Sequence, residues 1–239
     1  MKLIVGNQKT YLLKSEALDF IEKTSCKYCN DVVICPSFTY IDMFSTKSKF
    51  IVGSQNVSSL KLGATTGEVS AEQLKELNVK YSIVGHSERR SNQLEDSLML
   101  YNKIKCLLDN DIKPIFCIGE HLEEKEHNVT KDVIGKQILD VFDKLEVRDI
   151  ENIIIAYEPI WAIGSGLIPT NEEIIDTTNY IKDLVNDKYG TNVLVLYGGS
   201  VNKKNISLLN EIDIIDGYLI GGASTKPEEF LFIMNEVCK

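Results

Sequence analysis

The chain lacks any long apolar run. No stretch of its 239 residues approaches the roughly 20 consecutive apolar residues that a membrane-spanning helix needs. Its first residues, MKLIVGNQKTYLL, carry one early lysine but no charged leader, extended apolar segment or small-residue cleavage site, so the sequence reads as a cytoplasmic protein. Basic residues are in deficit, 26 Lys and Arg against 35 Asp and Glu, and a net charge of −9 opposes nucleic acid and anionic membranes as partners. The six cysteines, at 26, 29, 35, 106, 117 and 238, follow no disulfide-framework spacing, and in a reducing compartment they are expected to stay thiols. CKYC at 26–29 is one CxxC with no second half, too little for a metal site, although a redox role for Cys26 and Cys29 stays open. Three Asn-x-Ser/Thr matches, at Asn56, Asn128 and Asn205, have no meaning as glycosylation sites in such a compartment. No Pro/Gly-rich linker divides the chain, and no GxGxxG fingerprint follows an early strand.

What is present is ordinary globular composition, 44% hydrophobic and 26% charged, arranged with a strong rhythm. Short apolar runs recur about every thirty residues. They are KLIVG at 2–6, DVVIC at 31–35, FIVGS at 50–54, YSIVG at 81–85, KPIFCIG at 113–119, NIIIAYE at 152–158, VLVLYGG at 193–199 and DGYLIGG at 216–222. Being apolar nearly throughout, they suit strands covered on both faces, as in a parallel sheet. Helix-period segments such as Ser15–Thr24, Leu94–Asn110, Val129–Leu145 and Asn171–Tyr189 lie between most of them. Alternating βα units without a linker predict one α/β domain over 1–239. Eight strands in this length fit a closed (β/α)8 barrel; an open doubly wound sheet is the alternative, less favoured without the dinucleotide fingerprint.

The polar residues cluster at the carboxyl ends of these runs: Asn7 and Lys9 after the first, Asn56 after the third, His86 after the fourth, Glu158 in the sixth, Gly198–Ser200 and Gly221–Gly222 after the seventh and eighth. In a barrel those ends share one face, where active sites are built. An anionic ligand must be held against the protein's net charge by a lysine, by backbone N–H groups or by a helix start. The two glycine pairs provide close backbone approach, and a short helix beginning near Gly222 would add its positive end. Taken singly, each feature has a bland reading: a glutamate before proline is commonly salt-bridged or capping, a histidine after a strand a satisfied core residue, a lysine solvated, a glycine pair a turn.

Taken together, GNQK at 6–9, YSIVGHSERR at 81–90, CIGE at 117–120, AYEPIWAIGSG at 156–166, YGGSV at 197–201 and DGYLIGGAS at 216–224 resemble the triosephosphate isomerase family, in the same order along essentially the whole chain. The resemblance implies a TIM barrel and an aldose–ketose isomerase of glycolysis and gluconeogenesis. It would interconvert glyceraldehyde 3-phosphate and dihydroxyacetone phosphate through an enediolate, with no cofactor and no metal. It implies Glu158 as the base, gaining basicity as a hinged loop withdraws it from water, and His86 as the neutral electrophile. A glutamate base paired with a neutral histidine is a known case of acid–base tuning in this family, and both roles come to this chain through the resemblance alone. Lys9 and Asn7 would face the reacting oxygens, Lys9 as the one fixed cation in the site, and Glu88 would hold Lys9, Asn7 or His86 in place. Gly164, Gly199, Ser200, Gly221 and Gly222 would bind the phosphate, Gly164 from the closing loop. By the same resemblance the polar loop 58–68, SSLKLGATTGE, would place Thr66 in a neighbouring subunit beside Asn7 and Lys9, giving a homodimer.

The sequence departs from the family at Gln8, where an aromatic is usual, at Thr10-Tyr11 and in SNQLED after HSERR, with Glu95 keeping the acidic position. It departs again at Leu167-Ile168-Pro169, where many members carry Lys-Thr-Ala. Gln8 and Thr10-Tyr11 are expected near the subunit contact. Thr170-Asn-Glu-Glu173 has the form of a capping box, so Pro169 ahead of it is read as fixing the start of a helix, with stiffening of the loop's hinge as the alternative. A paralogue acting on a tetrose phosphate and a non-catalytic phosphometabolite-binding barrel are the rival functions.

Overall fold

The computed structural model describes residues 2–24, 32–164 and 167–238. All eight apolar runs contain strands: β1 Leu3–Asn7, β2 Val32–Cys35, β3 Ile51–Ser54, β4 Tyr81–Val84, β5 Lys113–Ile118, β6 Ile154–Tyr157, β7 Leu194–Tyr197 and β8 Gly217–Ile220. Every neighbouring pair is parallel, and β1 pairs with β8 in the register Leu3↔Gly217 to Gly6↔Ile220, which closes the barrel. The closed (β/α)8 architecture is thereby established over the open sheet. Gly217 has to be glycine at this seam, because a Cβ there would lie 2.0 Å from the Leu3 carbonyl oxygen.

Helices α1 Lys14–Thr24, α2 Ile41–Lys47, α3 Ala71–Glu76, α4 Ser87–Asn92, α5 Ser97–Leu108 and α6 Leu122–Glu126 wrap the first half. The second half carries α7 Thr130–Phe142, α8 Val147–Ile150, α9 Asn171–Tyr189, α10 Ile206–Asn210 and α11 Pro227–Val237. The strands are buried on both faces, as their unbroken apolarity requires. One face points into the barrel, where Val5, Val33, Ile83, Ile115, Cys117, Ala156 and Leu196 pack together. The other faces the helices through Ile4, Ile34, Val84, Phe116 and Ile155. Phe20 of α1 fills the helix layer next to the seam, with ring centroids 6.2 Å from Phe44 and 5.9 Å from Phe230; burying one such ring stabilises by about 1.5–3 kcal/mol.

The fifth helix starts later than its period suggests. Leu94 is 80% exposed with φ +54°, and the helix begins after Asp96, whose carboxylate accepts the Met99 N–H at 2.8 Å as an N-cap. The capping box at α9 is present in both directions: Thr170 Oγ1 accepts the Glu173 N–H, and Glu173 Oε2 accepts the Thr170 N–H. Six free thiols are not observed. Cys35, Cys106 and Cys117 are free, whereas Cys238 is disulfide-bonded, a pairing that sequence spacing cannot encode because it depends on which chain segments fold together. Cys26 and Cys29 lie outside the described residues. Among the described residues no helix is long and apolar enough to cross a membrane, and no group of His, Cys, Asp and Glu could hold a metal ion.

Candidate active site

Parallel strands bring their carboxyl ends to one rim, and a cavity of about 310 Å³ opens there, at the small end of ligand pockets. Asn7, Lys9, His86, Glu158, Gly164, Gly199, Ser200, Gly221 and Gly222 all line it. Glu88 is the one expected site residue absent from that lining; it borders an adjacent cavity of about 470 Å³, which shares Asn7, Lys9 and His86.

Glu158 follows β6 directly instead of ending it, and is 2% exposed. Its N–H donates to the Ile118 carbonyl at 2.7 Å, continuing the β5 pairing by one residue and aiming the side chain across the barrel mouth. Oε1 lies 3.2 Å from His86 Nε2, and Oε2 accepts the Ser87 N–H at 3.2 Å. Gly198 makes room for this seat, since a Cβ there would stand 2.9 Å from Glu158 Cγ. Gly119 does the same for the backbone, where a Cβ would fall 1.7 Å from the Glu158 carbonyl oxygen.

His86 caps α4, accepting the Glu88 N–H on Nδ1 at 3.2 Å. A nitrogen that accepts carries no proton, so the neutral ring bears its hydrogen on Nε2, facing the cavity and Glu158. Arg90 fixes the backbone behind this pair: Nε donates to the Gly85 carbonyl and a terminal nitrogen to the Cys117 carbonyl, both at 2.8 Å. Complete burial and the neighbouring Glu158 charge push the Cys117 thiol well above its ordinary pKa, so it stays neutral inside the barrel.

Lys9 adopts φ +48°, a left-handed backbone that costs a non-glycine residue on the order of 1–3 kcal/mol. The surroundings impose it. Its N–H donates to Asn7 Oδ1 at 3.1 Å, and its carbonyl accepts from Ser37 Oγ at 3.0 Å and from Gln55 Nε2 at 2.8 Å. The ammonium then lies 2.6 Å from Glu88 Oε1, so of the three residues expected to lean on Glu88 it is Lys9 that does. Glu88 Oε2 is 3.7 Å from His86 Nδ1, too far for a hydrogen bond. The Lys9 stem passes 3.6 Å from where a Gly221 Cβ would be, linking the charge to the glycine end of the cavity.

At that end, among the described residues and apart from its chain neighbours, Gly222 has no heavy atom within 4 Å of where a Cβ would lie, leaving its backbone open to a ligand, and a 3-10 turn, Gly222–Thr225, starts there as expected. Asn205 Nδ2 holds the Ser200 carbonyl at 2.8 Å, and Ser224 Oγ holds the Gly221 carbonyl at 2.7 Å. Gly164, at φ +69°, lines the same end from the segment after β6. Ser165 and Gly166 lie outside the described residues.

One expectation needs correcting. Lys9 is not the only cation at the cavity: Lys226 lines it too, with its side chain largely exposed and Nζ 3.5 Å from Glu229. Gln8 is 2% exposed, and its Nε2 donates to the Ser224 carbonyl, tying the β1 end to the β8 end. Tyr11, by contrast, is exposed and borders the cavity mouth. Ser87, Gln55 and Ser37 escaped the sequence reading because they act through a backbone N–H or through bonds to backbone carbonyls, while Gly198, noted at the end of the seventh run, acts through the absence of a side chain. The position of Ser87 next to His86 and of Gln55 next to Asn56 was the one available signal.

A family model described as triosephosphate isomerase matches residues 2–237. The chain is similar to proteins named triosephosphate isomerase from Alkaliphilus oremlandii, 41% identical over 98% of both chains, and Dictyoglomus thermophilum, 40% identical over 96% of both. A third, from Clostridium botulinum, is 39% identical over 98% of both.

Proposed function

This chain belongs to the triosephosphate isomerase family, and we propose from that premise that its barrel, acting as one unit, interconverts glyceraldehyde 3-phosphate and dihydroxyacetone phosphate, with Glu158 as the proton carrier. The observation that carries the assignment is the facing pair of Glu158 and the His86 Nε2–H, 3.2 Å apart in one small cavity beside the Lys9 ammonium. Both Glu158 oxygens are occupied, by Nε2 and by the Ser87 N–H. Substrate exchanges those partners for the proton on the carbon next to its carbonyl.

Glu158 takes that proton, and the electron pair moves onto the carbonyl oxygen to give an enediolate. The His86 Nε2–H and the Lys9 ammonium meet the developing negative charge, a preorganised arrangement that needs no rearrangement at the moment of reaction. Proton exchange between the two enediolate oxygens and return of the carbon-bound proton from Glu158 to the neighbouring carbon complete the isomerisation with every proton accounted for. Asn7 fixes the Lys9 backbone, and Glu88 fixes its ammonium. Backbone N–H groups of Gly164, Gly199, Ser200, Gly221 and Gly222 take the phosphate. Metal and cofactor have no part in this reading.

The second cavity supports a homodimer. It is open beside Lys9 and His86, and Tyr11, Leu13, Leu60, Leu62 and Leu94, in the segments that follow β1, β3 and β4, leave large apolar side chains exposed. Loop 58–68 contains only bends and turns, and Thr66 of the partner subunit would fill this cavity and complete the site. We propose the cytoplasm as the protein's compartment. A coupled assay with glyceraldehyde 3-phosphate beside a tetrose phosphate tests the assignment. Turnover of the triose with little of the tetrose is expected; the reverse preference would give the site to a paralogous activity, and no turnover of either would make it a binder.

A further inference from the structure

Lys125 lies outside the catalytic cavity, on α6, yet it contacts both ends of the segment that carries Gly164 into the site. Its ammonium stands 3.6 Å above the centre of the Trp161 ring and 2.9 Å from Glu173 Oε1. Trp161 belongs to the 3-10 turn Ile160–Ala162 just after Glu158, and its indole N–H donates to Glu120 Oε1 at 2.7 Å. Glu173 is the reciprocal half of the α9 cap, holding the Thr170 N–H at 2.8 Å. The indole is therefore fixed at its edge by Glu120 and on its face by Lys125. The same lysine charge holds the first turn of the helix where the segment ends.

We propose that Lys125 is a positioning residue that sets the spacing between the two anchors of the 161–173 segment and so places Gly164 against the phosphate end of the cavity. A cation–π contact and an ion pair that share one ammonium are coupled: neither anchor can shift without loosening the other. Gly164 needs such external placement because, at φ +69°, no heavy atom of the described residues beyond its chain neighbours lies within 4 Å of where a Cβ would be. The inference rests on the phosphate-binding role proposed for Gly164, and it concerns binding, not the proton transfer by Glu158. It therefore predicts a change in KM without a matching change in kcat, the signature of an interaction made equally in ground and transition states.

The test uses K125M, K125R, E173Q and K125M/E173Q in the full chain, with glyceraldehyde 3-phosphate as substrate, inorganic phosphate as competing anion and emission of the sole tryptophan, Trp161, as the local probe. K125M is expected to raise KM and the inhibition constant of phosphate about three- to tenfold while kcat stays within about threefold, since each contact of this kind is modest at a partly exposed site. Its Trp161 emission should differ from the parent, K125R should restore both readouts, and E173Q should add little in the K125M background. KM and phosphate inhibition at parental values in K125M would overturn the proposal, even with lowered thermal stability. Full additivity of K125M and E173Q would overturn it as well. Should K125M fail to fold, K125R and E173Q against the parent give the same decision: E173Q must raise KM and K125R must not. A parent without triose isomerisation would refute the assigned function instead, so the two failures are distinguishable.

Discussion

Adding a single methyl group at Gly198 tests whether the seat of Glu158 matters to chemistry. The backbone there is not left-handed, so alanine introduces no conformational strain; its effect is steric. The new Cβ would meet Glu158 Cγ at 2.9 Å and the Tyr157 carbonyl oxygen at 3.2 Å, whereas ordinary contact begins at 3.4 Å. The carbonyl belongs to β6 and accepts the Gly198 N–H at 2.7 Å, so it cannot withdraw without breaking the barrel ladder. The side chain has to yield, by roughly half an ångström in a densely packed interior. That displacement lengthens the 3.2 Å contacts with His86 and Ser87 and tilts the carboxylate away from the carbon it deprotonates. Misplacement on the order of 1 Å costs about 10²-fold in rate, so about a tenfold loss of kcat is expected for half that shift. Overpacking should cost about 1–3 kcal/mol of stability. Steady-state kinetics with glyceraldehyde 3-phosphate and a denaturant titration measure both. A destabilised G198A with kcat within about threefold of the parent would refute the reasoning, because the expected loss from misplacement is larger.

Glu120 is buried with Oε2 unpartnered among the described residues, and burial raises its pKa above the ordinary 4.5 despite the hydrogen bonds from Trp161 and Tyr157. The folded state then holds this proton to higher pH than the unfolded chain, so stability falls as pH rises from about 4.5 through the raised folded value. Melting temperatures of E120Q and the parent should converge near pH 4, about the ordinary carboxyl pKa, and the variant should gain on the parent as pH rises; a constant difference would show that Glu120 has no such linkage. Pro169 precedes the α9 cap and is buried, so P169A should cost a few tenths to about 1 kcal/mol. Its kcat should stay within about threefold and enediolate breakdown to methylglyoxal should not rise; a large change in either places Pro169 in a moving hinge. Sedimentation at micromolar concentration should show a dimer, and a fully active monomer would remove Thr66 from the neighbouring site.

The barrel was readable because parallel strands buried on both faces leave unbroken apolar runs, and all eight runs contain strands. Helix ends were less so: Leu94 fits the period of α5 but lies before the Asp96 cap, where capping chemistry overrides periodicity. The site residues that carry charge or a reactive side chain stood out at strand ends. Those that create the geometry did not. The strained Lys9 backbone depends on Ser37 and Gln55, 28 and 46 residues away, and nothing in local sequence announces those bonds. Lys125 is the same case, because its two partners, Trp161 and Glu173, meet it only after the barrel closes.

The central claim is that Glu158 carries the proton, and E158Q tests it most directly because the amide keeps the size of the side chain and removes the base. Turnover of glyceraldehyde 3-phosphate by E158Q should fall by on the order of 10²–10⁴, the span of a positioned acid or base, while inhibition by inorganic phosphate stays at the parental concentration. A kcat within about threefold of the parent, far short of that span, would contradict the account.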